Sequence, residues 1–195
     1  ADAGALGAGK GRDSEWNVKS WVRLTRRIGE EQVIGGIVRG LEVLEGESGK
    51  RHRWLADFAG SYGAACGEQT LDAVLAAGLD SVIGFNVGGI EVDRDQFAAV
   101  FDRARAAGLH SVPHAGETHG PDRIWSAIHR LGAERIGHGI RRLDDPALVE
   151  YLPDTPLPLD VCPPSNLCTG AVCPYRPPPP PAAGLGVTLD PSHPP

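Results

Sequence analysis

The chain has 195 residues, 41% of them hydrophobic, and its 19 Lys and Arg against 25 Asp and Glu give a formal net charge of −6. Nucleic-acid-binding proteins usually show a basic surplus or a basic stripe, so this balance argues against that class. No stretch approaches the roughly 20 apolar residues of a membrane span, and we expect one globular domain without a membrane partner.

The N-terminal part of the chain is rich in glycine and alanine, and residues 1–20 are expected to form a loose segment. The sequence contains no methionine, so we expect it to begin inside a longer reading frame. Its four cysteines match neither a zinc knuckle nor a C-x-x-C redox pair, which predicts free thiols in a reducing compartment, the cytoplasm. These cysteines are Cys66, Cys162, Cys168 and Cys173.

Short apolar runs, most of them followed by a segment of helical periodicity, predict alternating strands and helices. The predicted strands cover residues 53–58, 81–87, 109–113, 135–137, 157–161 and 186–189. The predicted helices cover residues 31–45, 68–77, 94–107, 122–131 and 146–152.

The spacing of these strands indicates a parallel sheet. The last five end near residues 87, 113, 137, 161 and 189, so each β/α unit takes 24 to 28 residues. Parallel strands with crossover helices form either a doubly wound sheet or a barrel, and the spacing alone leaves both open. A closed (β/α)8 barrel takes about 250 residues, so a barrel here would lack roughly its first two units.

The C-terminal tail departs from this pattern. A helix is expected before the last predicted strand, but the sequence there reads PYRPPPPPAAG, and five consecutive prolines cannot form the interior of a helix. We expect a short polyproline II segment and a degraded domain after about residue 173.

Polar residues follow the predicted strand ends, where α/β folds place their active sites. His114 and Glu117 follow one strand, and His138 follows the next between two glycines. A neutral imidazole binds Zn²⁺, and a nearby carboxylate can transfer protons. An isolated H-x-x-E more often only satisfies backbone groups, and it is the coincidence of these loops at successive strand ends that favours a functional site.

Four segments together closely resemble the adenosine deaminase family of zinc-dependent hydrolases. They are FNVGG (85–89), VPHAGE (112–117), RIGHG (135–139) and VCPPSNLCTG (161–170), in this order and spacing. The residues that follow HAGE resemble those of the bacterial branch that includes adenosine, adenine and aminodeoxyfutalosine deaminases. The resemblance implies an incomplete (β/α)8 barrel of the metal-dependent hydrolase type, about six of eight strands, over residues 21–195.

The resemblance also implies roles for four residues. His114 matches a zinc ligand, and Glu117 matches the general acid that protonates N1 of the purine ring. His138 matches the histidine that orients and helps deprotonate the attacking water. Gly89 matches a glycine whose backbone donates to a ring nitrogen, and residues 162–166 are expected to shape a loop. The implied reaction is zinc-dependent hydrolytic deamination of a 6-aminopurine nucleoside, adenosine to inosine, with a purine as the small-molecule partner.

The chain departs from the family at the other zinc ligands. The family's first strand carries an H-x-H pair, and no H-x-H occurs in these 195 residues. The family's last strand carries paired aspartates, where this chain has Ser192 and His193. Asp190 and His193 are therefore the substitute ligands to consider beside His114.

Three hypotheses follow. The chain is a partial purine deaminase, acting on adenosine or alternatively on adenine or aminodeoxyfutalosine. It is an inactive truncated remnant of the family that binds no zinc. Or it is an unrelated α/β hydrolase with coincidental motifs, in which case His114, Glu117 and His138 do not converge.

Overall fold

A computed structural model of the chain describes residues 16–19, 30–49 and 52–172. Its strands are β1 (Trp16–Lys19), β2 (His52–Ala59), β3 (Val82–Gly88), β4 (His110–Ser111), β5 (His114–Ala115), β6 (Ile136–His138) and β7 (Leu159–Asp160). Its α-helices are α1 (Glu30–Ser48), α2 (Ala64–Ala77), α3 (Ala98–Ala106), α4 (Asp122–His129), α5 (Pro146–Tyr151) and α6 (Pro163–Cys168).

All paired strands in the described part are parallel and follow one another in chain order. β1 to β4 form one sheet and β5 to β7 a second. The extended run from β4 to β5 joins the two, because Val112 N donates to Phe85 O and Gly137 N donates to Pro113 O, both at 3.0 Å. The result is a continuous parallel arc with helices between its strands, the arrangement predicted for part of a barrel.

Two apolar clusters attach the helices to this arc. In the larger one, Phe58 of β2 and Phe85 of β3 stack with ring centroids 5.5 Å apart. Phe97 meets the first ring at 5.3 Å, and Phe101 of α3 meets the second at 5.4 Å. The smaller cluster packs α4 and α5 against β5 and β6; its buried members are Ala115, Ile124, Ala127, Ile136 and Leu148. The helices thus cover the apolar face of the strands, and the polar groups lie at the strand ends and in the loops that follow them.

Several elements differ from the sequence-based expectations. β1 lies within the 1–20 segment that was expected to be loose, so that expectation misses a strand. The predicted strand 109–113 shortens to β4, and a separate strand, β5, begins at His114, because Pro113 lacks a backbone donor and the chain changes its pairing partner there. The predicted helix 94–107 opens with a 3₁₀ turn before α3, and helix α6 was not predicted at all.

Some expectations lie outside the described residues: the strand at 186–189, the proline run, and the positions of Asp190 and His193. Among the helices that the structure describes, none is long and apolar enough to cross a membrane.

Candidate active site

Three residues singled out from the sequence come together at the ends of β5 and β6. The imidazole rings of His114 and His138 are buried, and their centroids lie 5.1 Å apart. Nε2 of His138 lies 3.4 Å from Oε2 of Glu117. The hypothesis of coincidental motifs required these groups to lie apart, and the structure contradicts it.

The pairing of β5 with β6 produces this proximity. Their register places His114 opposite Gly137 and Ala115 opposite His138. A Cβ at Gly137 would lie 2.8 Å from Cδ2 of His114, so only glycine leaves room for the imidazole against β6. The glycine of RIGHG is therefore a packing requirement of the site.

The ring of His114 is oriented by an amide from β3. Its Nδ1 lies 3.0 Å from Oδ1 of Asn86, whose side chain is buried. An amide oxygen can only accept, so Nδ1 carries the proton and the lone pair resides on Nε2. A histidine ligand held in this way presents Nε2 to a metal.

The ring of His138 is held by a second amide in the same manner. Its Nδ1 lies 2.7 Å from Oδ1 of buried Asn166, which α6 contributes. The backbone of His138 has φ of 66°, a left-handed conformation that a non-glycine residue adopts at a cost. The left-handed backbone of His138 and the hydrogen bond to Asn166 together set the direction of the ring, with Nε2 facing Glu117.

The carboxylate of Glu117 has a partner for each oxygen. Oε1 accepts a hydrogen bond of 3.1 Å from Oγ1 of Thr169, and Oε2 faces His138. The side chain is 14% exposed, enough for contact with a ligand but shielded from bulk water. Glu117 thus connects the loops after β5, β6 and β7.

Two buried residues after β3 hold the segment that carries Glu117. The carboxylate of Glu91 accepts hydrogen bonds from the backbone N–H groups of residues 116–119. Nε of Arg94 donates to the carbonyl oxygen of His114 at 3.0 Å. The pKa of Arg94 is lowered from its ordinary value because the side chain is buried, and the nearby carboxylate of Glu91 opposes part of this shift.

Sequence reasoning missed four residues of this site: Asn86, Asn166, Glu91 and Arg94. The two asparagines stand inside segments that the family resemblance used, and a search for acceptors beside each histidine could have singled them out. Glu91 and Arg94 lie beyond the FNVGG segment, and nothing in their local sequence distinguishes them from solvated charges.

Gly89, the predicted purine contact, follows β3 as an exposed residue with φ of 73°. This conformation is natural for glycine and turns the chain toward Glu91. Gly89 therefore lies on the same segment as the residues that hold the Glu117 loop.

The zinc site is not complete in the part of the chain that the structure describes. His114 is a suitable ligand by its tautomer and burial, but no group of three or more His, Cys, Asp or Glu residues within residues 16–19, 30–49 and 52–172 could hold a metal ion. A catalytic zinc site needs about three protein ligands. The described residues alone do not fit the ion.

Comparisons with known proteins agree with the fold and the motifs. The adenosine deaminase family model matches residues 15–179. The chain is 41% identical over 165 residues to an aminodeoxyfutalosine deaminase of Streptomyces coelicolor, covering 83% of this chain and 43% of the relative. It is 36% identical over 144 residues to an adenosine deaminase of Escherichia coli, covering 73% and 42%.

Among solved structures, the adenine deaminase from Arthrobacter aurescens superposes with a TM-score of 0.71 at 32% identity, covering 75% of this chain and 45% of that one. The prediction of an incomplete (β/α)8 barrel is confirmed. The chain spans less than half the length of the curated relatives it matches.

Proposed function

Since the chain belongs to the adenosine deaminase family, we propose that it contributes the proton-transfer side of a hydrolytic aminopurine deaminase site. One observation carries the proposal. The imidazole of His138 and the carboxylate of Glu117 lie 3.4 Å apart, each oriented by its own hydrogen bond to α6 or to Thr169 just after it.

The reaction replaces an exocyclic amine by oxygen, which needs a proton donor on the ring and a base on the water side. Glu117 is the donor to the ring nitrogen, because its carboxyl lies beside His138 and its side chain keeps 14% exposure, which leaves room for contact with a ligand. His138 is the base, because Asn166 holds its Nδ1 and its Nε2 faces Glu117. Gly89 contributes its backbone N–H to the purine.

Zinc is the proposed ion, with His114 as one ligand. A zinc ion held there would lower the pKa of water toward about 7 and would so supply a nucleophile at neutral pH. Its remaining ligands must come from residues outside the described ranges, of which Asp190 and His193 are candidates, or from another chain. The sequence itself contains no H-x-H pair.

The substrate is a 6-aminopurine or its nucleoside. The named relatives are deaminases of aminodeoxyfutalosine, adenosine and adenine, and we propose adenosine-type deamination with the other two as alternatives. The competing function is an inactive remnant, which the proline run and the missing H-x-H pair favour.

A substrate panel tests the proposal. The full chain is supplied with zinc and incubated separately with adenosine, adenine and aminodeoxyfutalosine, and ammonia release is measured. Release from at least one of them is expected. A folded chain that is supplied with zinc yet releases no ammonia from any of the three would overturn the proposal, and absence of bound zinc in that chain would support the remnant.

A further inference from the structure

We propose that Glu91 and Arg94 form a clamp that positions Glu117 against His138. Both act through the backbone groups of residues 114–119 to which they are bonded, so both are positioning residues. The inference rests on the proposed function only in naming Glu117 as the acid; the clamp itself is a matter of geometry.

The carboxylate of Glu91 organises the loop that follows β5. It accepts hydrogen bonds from four consecutive backbone N–H groups, those of residues 116 to 119, with the last three at 3.1, 2.9 and 3.0 Å. The hydroxyl of Thr118 adds a fifth contact at 3.3 Å. Four successive amides can face one carboxylate only if the backbone curls around it, as in anion-binding nests. The side chain of Glu91 is 3% exposed, so water hardly competes for these bonds.

Gly116 lets the backbone take this path. Its φ is 66°, and a Cβ there would lie 2.5 Å from Cδ1 of Ile124. The loop is therefore packed against α4 on one side and bonded to Glu91 on the other. Glu117 is the next residue, so the direction in which its side chain leaves the loop is set by this arrangement.

Arg94 holds the start of the same segment. Its side chain is fully buried, and Nε donates to the carbonyl oxygen of His114. Nη1 and Nη2 have no hydrogen-bond partner among the described residues. Buried polar groups are usually paired, so packing stability does not explain an arginine here. A positioning role does explain it. The guanidinium of Arg94 fixes the carbonyl oxygen of His114, the proposed metal ligand, and the carboxylate of Glu91 compensates the positive charge of Arg94.

Glu91 and Arg94, which lie on one segment after β3, thus fix five backbone groups: the carbonyl of His114 and the N–H groups of residues 116–119. Gly89 lies two residues before Glu91 on that segment. The part of the chain proposed to contact the purine therefore also determines where the proposed acid lies.

The test compares histidine ring signals of the full chain by NMR in wild type, Glu91→Gln, Glu117→Gln and the control Glu134→Gln. The control makes the same chemical change at a carboxylate that accepts one backbone bond, from Ser111 N at 3.3 Å, and lies 2.7 Å from Nδ1 of His110, so among the ring signals those of His110 respond to it. Loss of the Glu117 contact moves the ring signals of His138. We expect Glu91→Gln to move them in the same direction, and Glu134→Gln to leave them in place.

A clamp that only stabilises the fold predicts a different result. In that case Glu91→Gln lowers stability but leaves the His138 ring signals of the folded chain at their wild-type positions, which overturns the proposal. Because the signals report geometry, an inactive chain with the expected shifts contradicts the proposed function and leaves the clamp standing.

A second measurement covers the case in which Glu91→Gln does not fold. Hydrogen exchange of the backbone amides is measured in the unaltered chain. We expect the amides of residues 116–119 to exchange as slowly as those of β3, because Glu91 holds all four. Exchange as fast as that of an open loop overturns the proposal.

Discussion

Nδ1 of His114 lies 3.0 Å from Oδ1 of Asn86, and this contact between β5 and β3 determines which ring nitrogen of the histidine carries the proton. The same relationship recurs one strand later, where Nδ1 of His138 lies 2.7 Å from Oδ1 of Asn166. In both histidines Nδ1 is therefore the nitrogen that meets an amide oxygen, and Nε2 is the one that faces the site. An amide from another element fixes each ring before any ligand binds.

Replacing Asn86 tests the first of these contacts. In Asn86→Leu the ring of His114 loses its acceptor, so we expect its Nδ1–H tautomer to lose its dominance. Asn86→Asp is the matched variant, because it keeps an acceptor at nearly the same place. Nitrogen-15 chemical shifts of the His114 ring report the tautomer directly, and where zinc binds, Asn86→Leu should weaken binding about 10- to 100-fold. Unchanged ring shifts in Asn86→Leu contradict this assignment.

Gly137 should tolerate no side chain. In Gly137→Ala the new methyl meets the ring of His114, and overpacking of this kind costs about 1–3 kcal/mol of unfolding free energy. Gly40→Ala on α1 is the control, since nothing lies within 4 Å of its added Cβ, and there we expect a gain of about 1 kcal/mol. Urea denaturation measures both. Equal behaviour of the two variants would mean that the ring does not pack on Gly137.

The backbone of His138 should prefer glycine. His138→Ala and His138→Gly both remove the ring and its bond to Asn166, so their difference isolates the left-handed backbone, worth about 1–2 kcal/mol in favour of glycine. The same pair at His110, an exposed histidine on β4, should show the opposite order, because glycine weakens a strand by about 0.5–1 kcal/mol. Thermal unfolding of the four variants measures these differences in stability. If His138→Ala is more stable than His138→Gly, the left-handed conformation at residue 138 is contradicted.

Zinc retention should depend on His114. After dialysis against metal-free buffer, the full chain is expected to keep about one zinc ion, and His114→Ala is expected to lose it. His129→Ala, at an exposed histidine on α4, is the control and should leave zinc content unchanged. Elemental analysis of the purified variants provides the count. A wild-type chain without zinc would favour the remnant hypothesis.

The β/α order and the meeting of the three central side chains could be predicted from local signals, whereas the barrel itself was implied only by the family resemblance. Alternating apolar runs and helical periods gave the β/α order, and strand-end placement brought His114, Glu117 and His138 near one another. The exact strand bounds were less predictable. Only β4 lies within the predicted strand 109–113, since β5 begins after Pro113, and the short strand β1 has too few residues to stand out beside a glycine-rich segment.

The residues that orient the site could not be predicted in the same way, because their partners lie far along the chain. Asn86 and His114 are 28 residues apart, as are His138 and Asn166. Glu91 and Arg94 read as ordinary surface charges in sequence, yet the fold buries both. Burial of a charge depends on how elements pack, which composition and periodicity do not contain.

We propose Glu117 as the proton donor of the aminopurine deamination that is proposed for this chain. The most direct test is the rate of ammonia release by the zinc-supplied full chain, compared between wild type, Glu117→Gln and Glu134→Gln. We predict release by wild type, a loss of about a hundredfold or more in Glu117→Gln, and no change in Glu134→Gln. A folded wild-type chain without activity, or a Glu117→Gln variant as fast as wild type, would contradict it.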